Sequence, residues 1–131
     1  MQESMVAKIE VSHEKTRADY RSVLVLLKFR SQLVLAWNGE RHGWEFPGGH
    51  REENESVKQT AQREALEETG LAIKGIRPRG HYVLPDGHVT IYVTATCESF
   101  SPVDLSHETT EVALFDHLPD NLTFRLSPEK M

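Results

Sequence analysis

Three carboxylates occupy five positions in the run Arg63-Glu64-Ala65-Leu66-Glu67-Glu68-Thr69-Gly70-Leu71. On a helix turning roughly 100° per residue, Glu64 and Glu68 fall within about 40° of each other, and Glu67 lies about 60° to one side. Val57, Ala61 and Ala65 project to the same side, while Lys58, Gln59, Gln62 and Arg63 take most of the opposite one. An amphipathic helix turns its apolar stripe inward. The carboxylates are therefore expected to face the body of the domain or a cleft in it, where polar side chains are errors unless they serve a function.

The spacing predicts a helix over 55–69. Asn54 can cap it with Glu55 in its first turn, Gly70 sits where a left-handed residue ends a helix, and Leu71 follows as an apolar contact. A pair of glutamates ordinarily means a solvated surface, but this helix has apolar neighbours on the acidic side. Inward negative charges placed side by side are costly unless protons or a cation neutralise them. Hard oxygen ligands in such density suit Mg²⁺, with Mn²⁺ as a substitute.

Gly49, five residues, Glu55, seven residues and then Arg63 to Leu71 together resemble the Nudix box, over 23 residues. Every charged and glycine position of that pattern is present; Ala65 stands where the family more often has Leu, Ile or Val. Trp44-Glu45-Phe46-Pro47-Gly48-Gly49 is similar to the segment that leads into the box. The resemblance implies an α/β fold, the Nudix α/β/α sandwich with a mixed β-sheet, and a single domain over 1–131. It also implies a hydrolase acting on phosphoanhydride bonds.

By the same resemblance, Glu64, Glu67 and Glu68 hold the divalent cations, with the carbonyl of Gly49 as a further ligand. Arg63 pairs with a neighbouring carboxylate and fixes its orientation, and Glu55 helps to set the loop geometry at the helix start. Many family members carry another glutamate on a remote loop as base or extra ligand. Glu108, in the irregular stretch before Val112, is the first candidate and Glu111 the second. Glu64, Glu67, Arg63 and Glu108 thus form the expected catalytic set. Gly48, beside Gly49 in a sharp turn that lets backbone approach a phosphate, and Arg41, on the loop ahead of Trp44, are the expected substrate contacts.

Hydrolysis of a phosphoanhydride needs charge neutralised on phosphate oxygens, a water aimed at phosphorus and a base for its proton. The short chain resembles MutT-type members, which take (deoxy)nucleoside triphosphates to monophosphate and pyrophosphate, oxidised purine nucleotides among them. ADP-ribose, dinucleoside polyphosphates and RNA 5′ ends are the alternatives within the family. The competing class is a Nudix domain that senses a nucleotide without catalysis, although such domains commonly lose a box glutamate and this chain has lost none.

The rest of the chain agrees. A length of 131 residues with 38% hydrophobic and 27% charged residues is one ordinary globular domain. The net charge of −5 offers no footprint for nonspecific DNA binding. Cys97 is the only cysteine, and no stretch is apolar enough for a membrane span or signal peptide, so a cytoplasmic protein is expected. The seven histidines lack metal-binding spacing and read as surface or loop residues. Strands are expected where Met5, Ala7, Ile9 and Val11 alternate with polar residues, at 23–27 (apolar on both faces), 33–36, 88–97 and 112–115, with a turn at Pro85-Asp86-Gly87. The long C-terminal helix of many relatives is nearly absent, leaving a short terminal turn or a homodimer to cover the sheet.

Overall fold

The computed structural model describes residues 8–9, 11–12, 17–101, 109–123 and 125–126. Ten strands and one helix follow in chain order: β1 (Lys8–Ile9), β2 (Val11–Ser12), β3 (Ser22–Phe29), β4 (Gln32–Asn38), β5 (Gly43–Glu45), β6 (Gly48–His50), α1 (Val57–Thr69), β7 (Ile73–Val83), β8 (Val89–Cys97), β9 (Thr109–Phe115) and β10 (Arg125–Leu126). The main sheet runs β2-β7-β8-β3-β4-β5, with β6 paired to β3 and β9 paired to β4. It is mixed, because β3 and β8 are parallel while the other pairs in it are antiparallel. β1 and β10 pair in parallel as a separate ribbon. Met5 and Ala7 of the expected first strand lie outside the described residues.

Alternation explains where the core sits. Val23, Val25 and Leu27 of β3 and Ile91, Val93 and Ala95 of β8 point to one face, where Ala61 and Ala65 of α1 cover them. Each such fully buried Val, Leu or Ile contributes about 1.5–3 kcal/mol. Leu24 and Leu26 turn to the other face with Tyr82 and Tyr92 and are only half-buried. The run at 23–27 is therefore covered fully on one side and incompletely on the other. Among the described residues α1 is the one helix, and none is long and apolar enough to cross a membrane.

β3 divides its length between two partners. Ser22 to Leu24 pair with β6, whereas Lys28 and Phe29 pair with β4. In the fork between them the Val25 N–H donates to the Pro47 carbonyl at 2.8 Å. This placement carries β6 beside α1 and positions the site. Pro47-Gly48-Gly49, expected as a turn, enters a strand instead, and Gly48 and Gly49 do not use positive φ. Their missing side chains are required by close approach, since a Cβ on Gly48 would meet the Val23 carbonyl oxygen at 2.5 Å.

Candidate active site

The helix is capped at both ends by local chemistry. Ser56, with φ −81° and ψ 169°, accepts from the Gln59 N–H, and the Gln59 side chain accepts from the Ser56 N–H. This reciprocal capping box replaces the expected Asn54 cap and moves the start of the helix to Val57. Asn54 lies in a left-handed turn instead, φ 66°. Gly70 closes the other end at φ 73°, its N–H donating to the Leu66 carbonyl.

Glu64 and Glu68, one turn apart, both reach the strand that follows Pro47. The Gly48 N–H donates to Glu68 Oε1 at 3.2 Å. The carboxylate of Glu64 lies against Gly49. Burial pushes the Glu68 carboxyl up to about 9, and the neighbouring Glu64 charge adds to the effect. Burial also raises Glu64, partly offset by hydrogen bonding to Glu68 and by the charge of Arg63. Two acids so placed favour a shared proton or a cation between them. A divalent ion with oxygen ligands is one species that can meet such a demand.

Glu67 does not join them. Expected to face inward with the other two, its side chain is 54% exposed and is tied to Arg63 Nη1 at 3.3 Å. The offset of about 60° on the helix carries it over the rim of the cleft. Among the described residues no three acidic, histidine or cysteine side chains are already gathered as a metal cluster.

Arg63 is the hub of the site. Its Nε donates to Glu55 Oε2 at 2.6 Å and its Nη2 donates to Glu55 Oε1 at 3.0 Å and to the His50 carbonyl at 2.8 Å. Nη1 donates to Glu64 Oε2 at 3.0 Å and faces Glu52 at 3.7 Å. The Arg63 side chain is 22% exposed, so this is no solvated surface pair of the kind worth little. Glu55 also accepts from the Glu52 N–H at 2.8 Å and the Thr60 hydroxyl at 3.0 Å. The Arg63 hydrogen bonds hold its carboxyl down at about 2. One guanidinium thus joins the loop, the strand end and the helix carboxylates.

The Arg41 side chain is 64% exposed and pairs with Glu45 at 3.0 Å. Glu45 accepts also from Asn38 at 3.2 Å and Thr123 at 2.7 Å, and its charge adds to the rise of Glu68. Glu45 is a neighbour of the site that its place in the lead-in segment could have signalled. Glu108 lies outside the described residues. Glu111 stands opposite Trp37 in the β4–β9 register. Because Val112 beside it packs on the core under α1, Glu111 turns to the opposite face.

Two histidines depart from the surface reading. His81 is buried in β7 at 5% exposure. His88 is half-buried, with its Nε2 2.9 Å from Ser22 Oγ and its ring 5.1 Å from that of His50. Trp44 packs edge-on to Trp37 and Phe115 at 5.4 Å and 4.8 Å, a packing role.

Residues 17–123 match the NUDIX domain family model. Over 106 residues the chain is 34% identical to YtkD of Bacillus subtilis (strain 168), provisionally named an 8-oxo-dGTP diphosphatase. The match covers 79% of this chain, which spans 66% of YtkD's length. A crystal structure of the Bacillus subtilis pyrophosphohydrolase BsRppH, in a mutant form, superposes with a TM-score of 0.76 at 27% identity, covering 88% of this chain and 78% of that one. A NUDIX hydrolase from Nitrosomonas europaea gives 0.65 at 27% identity, covering 83% and 66%. The box residues, the mixed sheet with its capped helix and these likenesses agree: the chain belongs to the Nudix hydrolase family.

Proposed function

We propose that the protein is a divalent-cation-dependent pyrophosphohydrolase that cleaves nucleoside 5′-triphosphate groups to the monophosphate and pyrophosphate. The observation that carries this reading is the pairing of Glu64 with Glu68 against Gly48 and Gly49, where two half-buried carboxyls with raised pKa values are brought together. Glu64, Glu68 and the Gly49 carbonyl would hold Mg²⁺, or Mn²⁺ in its place, and the bound ion would neutralise charge on the phosphate oxygens.

The protein's own groups supply the rest. Arg63 fixes the Glu64 carboxylate from one side, which keeps its oxygens aimed at the cleft. Glu67, at the rim and half-exposed, can release Arg63 and take a proton from the attacking water. Glu108 is the further base in this reading, and Arg41, exposed on its loop and paired with Glu45 at 3.0 Å, is the candidate phosphate contact. The likeness to YtkD favours a purine nucleotide, oxidised or not, and the setting that fits is the cytoplasmic nucleotide pool.

Incubation with Mg²⁺ and a panel of nucleoside triphosphates, ADP-ribose and dinucleoside polyphosphates, with products identified by mass, tests the reading. Monophosphate and pyrophosphate from the triphosphates are expected. No Mg²⁺-dependent product from any triphosphate would overturn it.

A further inference from the structure

Thr60 and Thr69 are fully buried in α1, alongside Ala61 and Ala65. A hydroxyl at such a core position is an error unless it serves a function. Thr69 is accounted for by the helix itself: its hydroxyl donates to the Ala65 carbonyl at 2.6 Å and accepts from the Leu71 N–H at 3.2 Å. Both bonds are local and help to close the helix at Gly70. Thr60 is different. Its Oγ1 lies 3.0 Å from the Ser56 carbonyl and 3.0 Å from Glu55 Oε1, and a hydroxyl has a single proton to give.

The carboxylate takes that proton. The Ser56 carbonyl already accepts the Thr60 N–H at 2.9 Å, and an ionised acceptor makes the stronger bond. With the proton turned to Ser56, the lone pairs of Thr60 would face the Glu55 charge, which is costly in a buried setting. The rotamer that brings Oγ1 to the carbonyl four residues back is one that a helical threonine prefers, so the hydroxyl reaches Glu55 without strain. Threonine is a poorer helix former than alanine, and the bond to Glu55 offsets that local cost.

This bond fixes the carboxylate on which the site turns. Glu55 Oε1 receives Thr60 Oγ1 at 3.0 Å, the Glu52 N–H at 2.8 Å and Arg63 Nη2 at 3.0 Å, while Oε2 receives Arg63 Nε at 2.6 Å. The Glu52 and Thr60 donors come from the loop and from the start of the helix, so they hold the carboxylate independently of the arginine. A guanidinium is planar, and its Nε and Nη2 dock on a carboxylate as a fork. Once that fork is seated the direction of Nη1 is set, and Nη1 is the atom that meets Glu64 Oε2 at 3.0 Å.

We infer that Thr60 is a positioning residue for the Glu64 carboxylate, acting through Glu55 and Arg63. It acts without touching substrate or cation. This role rests on the proposed function for Glu64 as a cation ligand, and it adds to that site a buried hydroxyl one helical turn before Glu64.

Thr60→Val keeps the shape and removes the hydroxyl, whereas Thr60→Ser keeps the hydroxyl and removes the methyl group. In Thr60→Val, kcat on a nucleoside triphosphate is expected to fall about tenfold and the half-saturating Mg²⁺ concentration to rise by about as much, the low end of the range for lost ligand-orienting contacts. KM for the nucleotide stays within about twofold of native, because ground-state binding is not what the hydroxyl supports. Thr60→Ser should return kcat and the Mg²⁺ dependence to within about twofold of native, although the lost methyl lowers the melting temperature. Mn²⁺ binding, followed from the paramagnetic resonance of the free ion, should rank the proteins in the same order without turnover. On an Arg63→Met background Thr60→Val should add no further loss, because the path from Thr60 to Glu64 is already cut.

Native kcat and native Mg²⁺ dependence in Thr60→Val overturn the inference. So does a loss that Thr60→Ser fails to recover, which would mean packing of the methyl group, and so does a full further loss on the Arg63→Met background. If Thr60→Val does not fold, Thr60→Ser against Thr60→Ala, a pair that differs only in the hydroxyl, is read by the same criteria. Should the native protein show no Mg²⁺-dependent hydrolysis, the proposed function fails separately, and Mn²⁺ binding decides the role of Thr60. Binding about tenfold weaker in Thr60→Val and native in Thr60→Ser then supports it; equal binding in all three proteins, or none, overturns it.

Discussion

A Cβ placed on Gly49 would lie 2.5 Å from Glu64 Cδ, so strand β6 and the carboxylate of α1 share a space that only glycine leaves open. Gly49→Ala must push the carboxylate aside or move the strand. A displacement of about 1 Å at a reacting centre costs on the order of 100-fold. Mg²⁺-dependent hydrolysis is expected to fall by about that factor, with the far-ultraviolet circular dichroism unchanged. Wild-type turnover in Gly49→Ala would show that the contact has no bearing on the chemistry.

The Glu68 carboxyl, pushed up to about 9 by burial and by Glu64, makes the cation-free protein sensitive to pH. Between its ordinary value of 4.5 and about 9 the native state holds a proton that the unfolded chain has released. Stability therefore falls as pH rises through that window. Glu68→Gln should flatten this dependence and stabilise the cation-free protein at pH 8 by roughly 1–3 kcal/mol, the scale of a buried group without compensation. Mg²⁺ at pH 8 should raise the melting temperature of the native protein and leave that of Glu68→Gln unchanged. A native melting temperature that climbs steadily from pH 5 to 9 without cation would contradict this.

Glu55 is shifted the other way, its carboxyl held at about 2 by Arg63. Its contribution is present above 4.5 and is lost as pH falls from there toward 2. Arg63→Met should move the acid-unfolding midpoint upward, while the native protein resists to lower pH. Because Arg63 also fixes Glu64, the same substitution is expected to lower turnover by roughly 10- to 100-fold, as loss of a ligand-orienting contact does. Arg63→Lys cannot make the paired hydrogen bonds to Glu55 and should recover little of either effect. Full rescue by lysine would reduce the arginine to a plain charge.

Glu67, exposed at the rim, separates folding from chemistry. Glu67→Gln is expected to change stability by no more than about 0.5 kcal/mol, as surface substitutions do. If the carboxylate takes the proton from the attacking water, turnover falls by about 100-fold or more. Thermal melts alongside initial rates check both halves, and an unaltered rate would remove Glu67 from the catalytic set.

Much of this arrangement was legible before any coordinates. The odd-numbered residues of 89–97 alternate strictly, and Val89, Ile91, Val93, Ala95 and Cys97 are all buried. Gly70 ends the helix in the left-handed conformation that its place after Thr69 implied. β7 was not legible, because Gly75, Pro78 and Gly80 interrupt its pattern; register shifts accommodate them, and Gly75 takes φ 64°. The N-terminal cap was misplaced by two residues because Asn54 and Ser56 are both good caps. The Ser56–Gln59 pair decides between them by satisfying two donors at once.

Sequence alone determined the spacing of Glu64 and Glu68 along one turn of helix, the glycines that let a strand approach them and the strand periodicities of the core. These are local properties, set by the 3.6 and 2.0 repeats of the backbone. Tertiary structure decided which carboxylates meet and which turns outward, that Arg63 spends its donors on Glu55 and the His50 carbonyl, and that Glu111 lies on the far face. Those outcomes depend on how β3 divides its pairing between β4 and β6 and joins β8 in parallel. Such registers between distant segments are chosen by burial across the whole sheet, and no short stretch of chain contains them.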